Sequence, residues 1–181
     1  GVGRAVRTED LAARRASALQ EVLHDRLPVE DHVDRLPDPE VTERRDDRSG
    51  AVGDDETVDL MTTGSLYPLK EGWKLTYTET QPDSSDTSDI TLLVGKGRVL
   101  MSRSGAYGTT MVFKKDHRFE GAYQTPYGAL SMAVFATRVD VNMAPEKGKI
   151  ILEYQLDMQG SFAAMHELRL TYAANSEQHP C

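Results

Sequence analysis

From about residue 56 to residue 173, polar and apolar residues alternate with a period of two. That is the period of a strand with one face buried. "TVDLMTTGSLY" reads as a first strand, and "GWKLTYTET" puts Trp73, Leu75, Tyr77 and Glu79 on one face. "SDITLLV" and "RVLMSRSG" flank a Gly95-Lys96-Gly97 turn, and "TTMVF" and "RFEGAYQT" flank Lys115-Asp116. "GALSMAVFATRVDV" is long enough to bend around a corner, and "KIILEYQLDM" and "FAAMHELRLTY" form a hairpin across Gln159-Gly160. These nine segments predict an all-β antiparallel sandwich or up-and-down barrel. Closure is expected, because it removes edge strands and because no helical pattern within these residues could cover a sheet face.

The first 50 residues have another composition. They hold nine Arg, no Lys and no aromatic residue, and a segment without aromatics buries little by itself. "TEDLAARRASALQEVLHDRLP" predicts a helix over about residues 9–27. Thr8 is its N-cap, Glu9 and Asp10 suit the positive first turn, and Pro28 stops it. Leu11, Leu19, Val22, Leu23 and Leu27 fall on one side, and Val29, Val33 and Leu36 follow. The expected layout is an extension over 1–50, a barrel over 56–173 and a tail over 174–181. The polar stretch "DDRSGAVGDDE" at 46–56 reads as a linker, and the charge run Glu43 to Asp47 as solvated.

A net charge of −8 argues against a phosphate-backbone binder, so no nucleic-acid partner is expected. No stretch of 18 apolar residues predicts a membrane helix, and the Arg-rich amino end has no apolar signal core. The single cysteine, Cys181, cannot form an internal disulfide, so a reducing cytoplasm is the expected home. The histidines His24, His32, His117, His166 and His179 show no metal spacing, and no metal or other cofactor is expected. "PDSSDTSD" lacks the Gly and terminal Glu of a calcium loop, and "GKGR" lacks the context of a phosphate loop.

The order "TTGSLY", "YTET", "SRSG…TTMVF", "YQTPYGALSMAVFATRVDVN" and "LEYQLDMQG…HELRL" resembles the YwiB-like bacterial family over residues 56–173. That resemblance implies a closed or nearly closed antiparallel barrel of the calycin (lipocalin-like) kind in a bacterial cytosol, and it implies no particular reaction. This chain departs from the family pattern at His166, where Asn is usual.

Alternation also nominates a lumen. If the apolar faces point inward, Arg103 joins Val99 and Met101, and Tyr123 and Thr125 follow Phe119 and Gly121. Tyr154 then lies between Leu152 and Leu156. A buried guanidinium must be paired, so Arg103 is expected to meet Glu79, with tyrosine hydroxyls completing the network. Alternatively Arg103 and the tyrosines hold the head group of a small anionic or amphipathic ligand. The candidate lining is Trp73, Tyr77, Glu79, Arg103, Tyr123, Thr125, Tyr154 and His166. His166 reads as a satisfied core histidine. Such large residues predict a filled lumen with a small or absent cavity. Gly121 and Ala136 leave some space on their rows. In the Thr125-Pro126-Tyr127-Gly128 turn, Pro fixes φ and Gly permits φ > 0, so Tyr127 should mark a tight corner.

The function expected is that of a non-catalytic binding or interaction module. The alternatives are a carrier of an acyl or anionic ligand, an enzyme using Glu79, Arg103 and His166, and a protein partner or homodimer joined through residues 8–36.

Overall fold

The computed structural model describes residues 36–49, 56–80 and 84–175. Ten strands form: β1 (Pro39–Ser49), β2 (Glu56–Leu69), β3 (Gly72–Thr80), β4 (Thr87–Gly95) and β5 (Arg98–Arg103), then β6 (Thr109–Lys114), β7 (Arg118–Thr125), β8 (Gly128–Met143), β9 (Lys147–Met158) and β10 (Ser161–Ala174). Each pairs antiparallel with the next, and β1 pairs with both β2 and β10, so the meander closes into a barrel without a free edge.

All nine segments with alternating polarity are strands, and the turns between them carry the backbone their residues call for. Lys96-Gly97 and Gln159-Gly160 have φ > 0 at both positions, the condition for a two-residue hairpin whose twist matches its strands. β8 bends where Thr137 interrupts its register with β9, an extra residue between Ala136 and Arg138.

The tenth strand corrects the layout expected from composition. Residues 39–49, assigned above to an extension and a solvated linker, form a barrel wall bonded along its length to β10. Val41 is fully buried and Glu43 nearly so. The charge run is thus half lumen, because Glu43, Arg45 and Asp47 share the inward face with Val41 while Thr42, Arg44 and Asp46 alternate with them. The helix expected over 9–27 lies outside the described residues. So does most of the proposed partner segment 8–36, except Leu36, whose N–H donates to the Leu66 carbonyl and whose side chain packs on the core.

The interior divides along the barrel axis. At the end where Leu36 enters, Leu66, Leu75, Leu92, Val99, Phe113 and Leu170 pack into a core with almost no exposure. Toward the end bearing the β7–β8 and β9–β10 turns, the inward residues become longer and more polar, and a cavity opens.

Candidate functional site

The polar half of the lumen is a chain of ion pairs contributed by β1, β3 and β5. The Tyr77 hydroxyl donates to Glu43 Oε2. Glu43 Oε1 lies 2.5 Å from Arg45 Nη2, and Arg45 Nη1 lies 3.3 Å from Glu79 Oε1. Glu79 Oε2 in turn accepts from Arg103 Nη2. Pairing of Arg103 with Glu79, and a tyrosine hydroxyl in the same network, are as the strand pattern predicts. Glu43 and Arg45 are the members that pattern missed.

The order of these groups explains why so much charge can sit out of water. Two carboxylates and two guanidiniums alternate along the chain, so each charge has an opposite neighbour and the pairs are hydrogen-bonded. Burial works against the Arg45 charge, but the Glu43 and Glu79 carboxylates outweigh it and hold its pKa above the ordinary arginine value. Burial, reinforced by the Glu43 carboxylate, raises the Tyr77 phenol well above the usual tyrosine value. Tyr77 therefore stays protonated and donates.

A second polar pair joins β1 to β10. His166 Nδ1 contacts Asp47 Oδ1 across directly paired positions. Because a carboxylate only accepts, the shared proton is assigned to Nδ1. The His166 ring stacks on Tyr154, with centroids 5.1 Å apart at 22°, and Tyr154 leans on Phe113 at 4.8 Å. Burial pushes the Tyr154 phenol up to about 12. His166 was expected to be a satisfied core histidine and is only half so. Its Nε2 is the one buried side-chain nitrogen or oxygen among the described residues without a partner.

Above these pairs lies a cavity of about 320 Å³. Its polar wall is Arg45, Asp47, Arg103, Thr109 and His166, and its apolar wall includes four methionines, Met101, Met111, Met132 and Met158, with Tyr123 and Tyr154. The lumen is therefore filled at one end and holds a small cavity at the other, for identifiable reasons. Ten strands enclose a wider barrel than eight or nine would. Trp73, the largest candidate for filling it, stands at the opposite end, paired with Val94 and Pro68 and packed on the core. Tyr77 and Glu79 lie in the ion-pair chain and do not line the open space.

Thr125 is also away from the cavity. Its hydroxyl donates to the Gly128 carbonyl at 2.7 Å and accepts from the Tyr127 N–H at 3.2 Å, locking the β7–β8 turn. Tyr127 is 99% exposed at that tip, as a corner residue should be. The room expected beside Gly121 is taken by the Phe119 ring, which a Cβ there would approach to 2.9 Å. Of the eight residues nominated from sequence, Arg103, Tyr123, Tyr154 and His166 line the cavity.

The fold and site together define a class: a closed ten-stranded antiparallel barrel with a paired ionic network across its interior and a methionine-walled cavity at one end. The family model described as "Domain of unknown function (DUF1934)" matches residues 44–170, and the chain belongs to that family. It is 26% identical over 120 residues to the "Uncharacterized beta-barrel protein YwiB" of Bacillus subtilis (strain 168), across 66% of this chain and 83% of that one. The crystal structure of the ywiB protein from Bacillus subtilis matches the fold with a TM-score of 0.65 at 22% identity, covering 78% of this chain and 94% of that one.

Proposed function

We propose that this barrel binds a small molecule in the cavity at its polar end, and that binding rather than catalysis is its function. The observation that carries the reading is the cavity itself. Its 320 Å³ falls at the small end of the range typical of ligand sites, and its walls are mostly apolar with a few convergent polar groups. Methionine walls suit such a role, because unbranched thioether side chains repack around different shapes.

Glu79 and Arg103 support this reading better than a catalytic one. Both Glu79 oxygens are engaged by guanidiniums, and the carboxylate holds Arg103 at the cavity without lining the open space itself. The lone cysteine is the reason to place this binding in a reducing cytoplasm. Native mass spectrometry of the protein isolated from its own host tests the proposal. A retained small-molecule adduct is expected, and it should vanish when Met132→Trp fills the cavity. Bare protein in both cases, or an adduct that survives the filling, contradicts it.

A further inference from the structure

The charges already present in the lumen restrict what the cavity can accept. Glu79 is shared between Arg45 and Arg103, and Glu43 takes a second contact from Arg45, so two guanidiniums are balanced by two carboxylates before any ligand enters. Asp47 adds a third carboxylate at the cavity wall, turned toward His166. A ligand carboxylate would be a fourth anion against two permanent cations, in a space only partly open to water, and would arrive without a partner of its own. A ligand ammonium would meet the outward donors of Arg103.

Those donors are the specific feature. Arg103 contacts Glu79 through Nη2 alone, and among the described residues its Nε and Nη1 have no protein acceptor. Neither is a buried unpaired atom, and the side chain lines the cavity, so these N–H groups open onto accessible space. A planar guanidinium with free N–H groups and a neutralised charge is suited to a ligand oxygen that accepts without carrying a full charge. Resting on the binding role proposed above, we infer that the ligand is a neutral molecule with an apolar body and one carbonyl-type acceptor. Arg103 receives the acceptor, and Met101, Met111, Met132 and Met158 receive the body.

The methionines supply the readout. With methyl-labelled methionine, four of the seven methyl signals report the cavity, and Met61, which is 69% exposed, is an internal control. The probes are methyl hexyl ketone, octanoate, octylamine and octane, matched in length and differing at one end. The ketone should shift the four cavity methyls at concentrations about tenfold lower than any of the others. Arg103→Lys keeps the charge but loses the fork, and should reduce the advantage of the ketone over octane severalfold while leaving a folded spectrum. Octanoate, octylamine or octane binding as well as the ketone overturns this inference and leaves the binding role standing. An undiminished ketone advantage in Arg103→Lys also overturns it, because the acceptor is then held elsewhere. Failure of every probe to move any cavity methyl removes both the binding role and the ligand class.

Discussion

Glu79 sits at the node of the lumen network, and its two partners are not equivalent. Arg45 retains Glu43 if Glu79 is neutralised, whereas Arg103 loses its one contacting carboxylate. Both Glu79 and Arg103 side chains are about seven-eighths buried, at 13% and 14% exposure, so the charges are only weakly screened. Glu79→Gln should therefore destabilise by about 3–5 kcal/mol, the cost of leaving a buried charge alone. Arg103→Met should cost roughly half as much, since Glu79 keeps Arg45, and the double variant should cost less than the sum. Urea unfolding of the four proteins measures this cycle, and additive effects below about 1 kcal/mol would place both groups in water.

Tyr154 makes a second prediction at this scale. Its folded value of about 12 lies above the ordinary 10.0, so the folded state favours the neutral phenol. The corresponding stability is fully present below about pH 10 and is lost as pH rises toward about 12, on the order of 3 kcal/mol in all. Tyr77 is shifted in the same direction and adds to the alkaline loss. Tyr154→Phe should flatten the fall in unfolding free energy between about pH 10 and about pH 12. An unchanged slope would mean that the phenol is not buried as described.

Among the elements, β1 changes the account most. Nine strands were legible because each alternates apolar and polar residues between turn signals. β1 was not, because its run "TERRDDR" is polar at every position and its inward members are Glu43, Arg45 and Asp47. Nothing local distinguishes such a strand from a solvated linker. Its inward face makes sense only through Tyr77 and Glu79, each 34 residues away from its β1 partner, and His166, 119 away. The Glu79–Arg103 pair was legible for the opposite reason, since both end rows of otherwise apolar residues. Which end of the barrel stays open was not legible, because it depends on where Trp73 and the methionines fall along the axis.

β1 also bears on where the fold begins. By composition, the barrel would fold without residues 1–50. With β1 in place, deleting residues 1–49 should expose the edges of β2 and β10 and strand Glu79 and Tyr77 without their β1 partners. The shortened chain should lose its cooperative thermal transition. Retention of the parent transition would show that β1 is dispensable.

Across the whole molecule, the barrel is one closed wall around two different interiors. The end near Leu36, Phe113 and Trp73 is packed with apolar side chains and supplies the hydrophobic stabilisation. The other end gives up part of that packing to hold paired charges and open space, and the Thr125–Gly128 corner lies at the same end. No helix among the described residues is long and apolar enough to cross a membrane.

The polar end of the barrel encloses open space rather than packed side chains, and xenon detects that space without a ligand. Cavities with largely apolar walls take up xenon, which needs space and polarizable neighbours such as the methionines but no particular chemistry. Crystals pressurised with xenon should show an anomalous peak inside the barrel among Met101, Met132 and Leu168, absent from the Met132→Trp variant. Ordered side chains occupying that volume, with no xenon inside the wall, would mean that the lumen is filled and holds no ligand site.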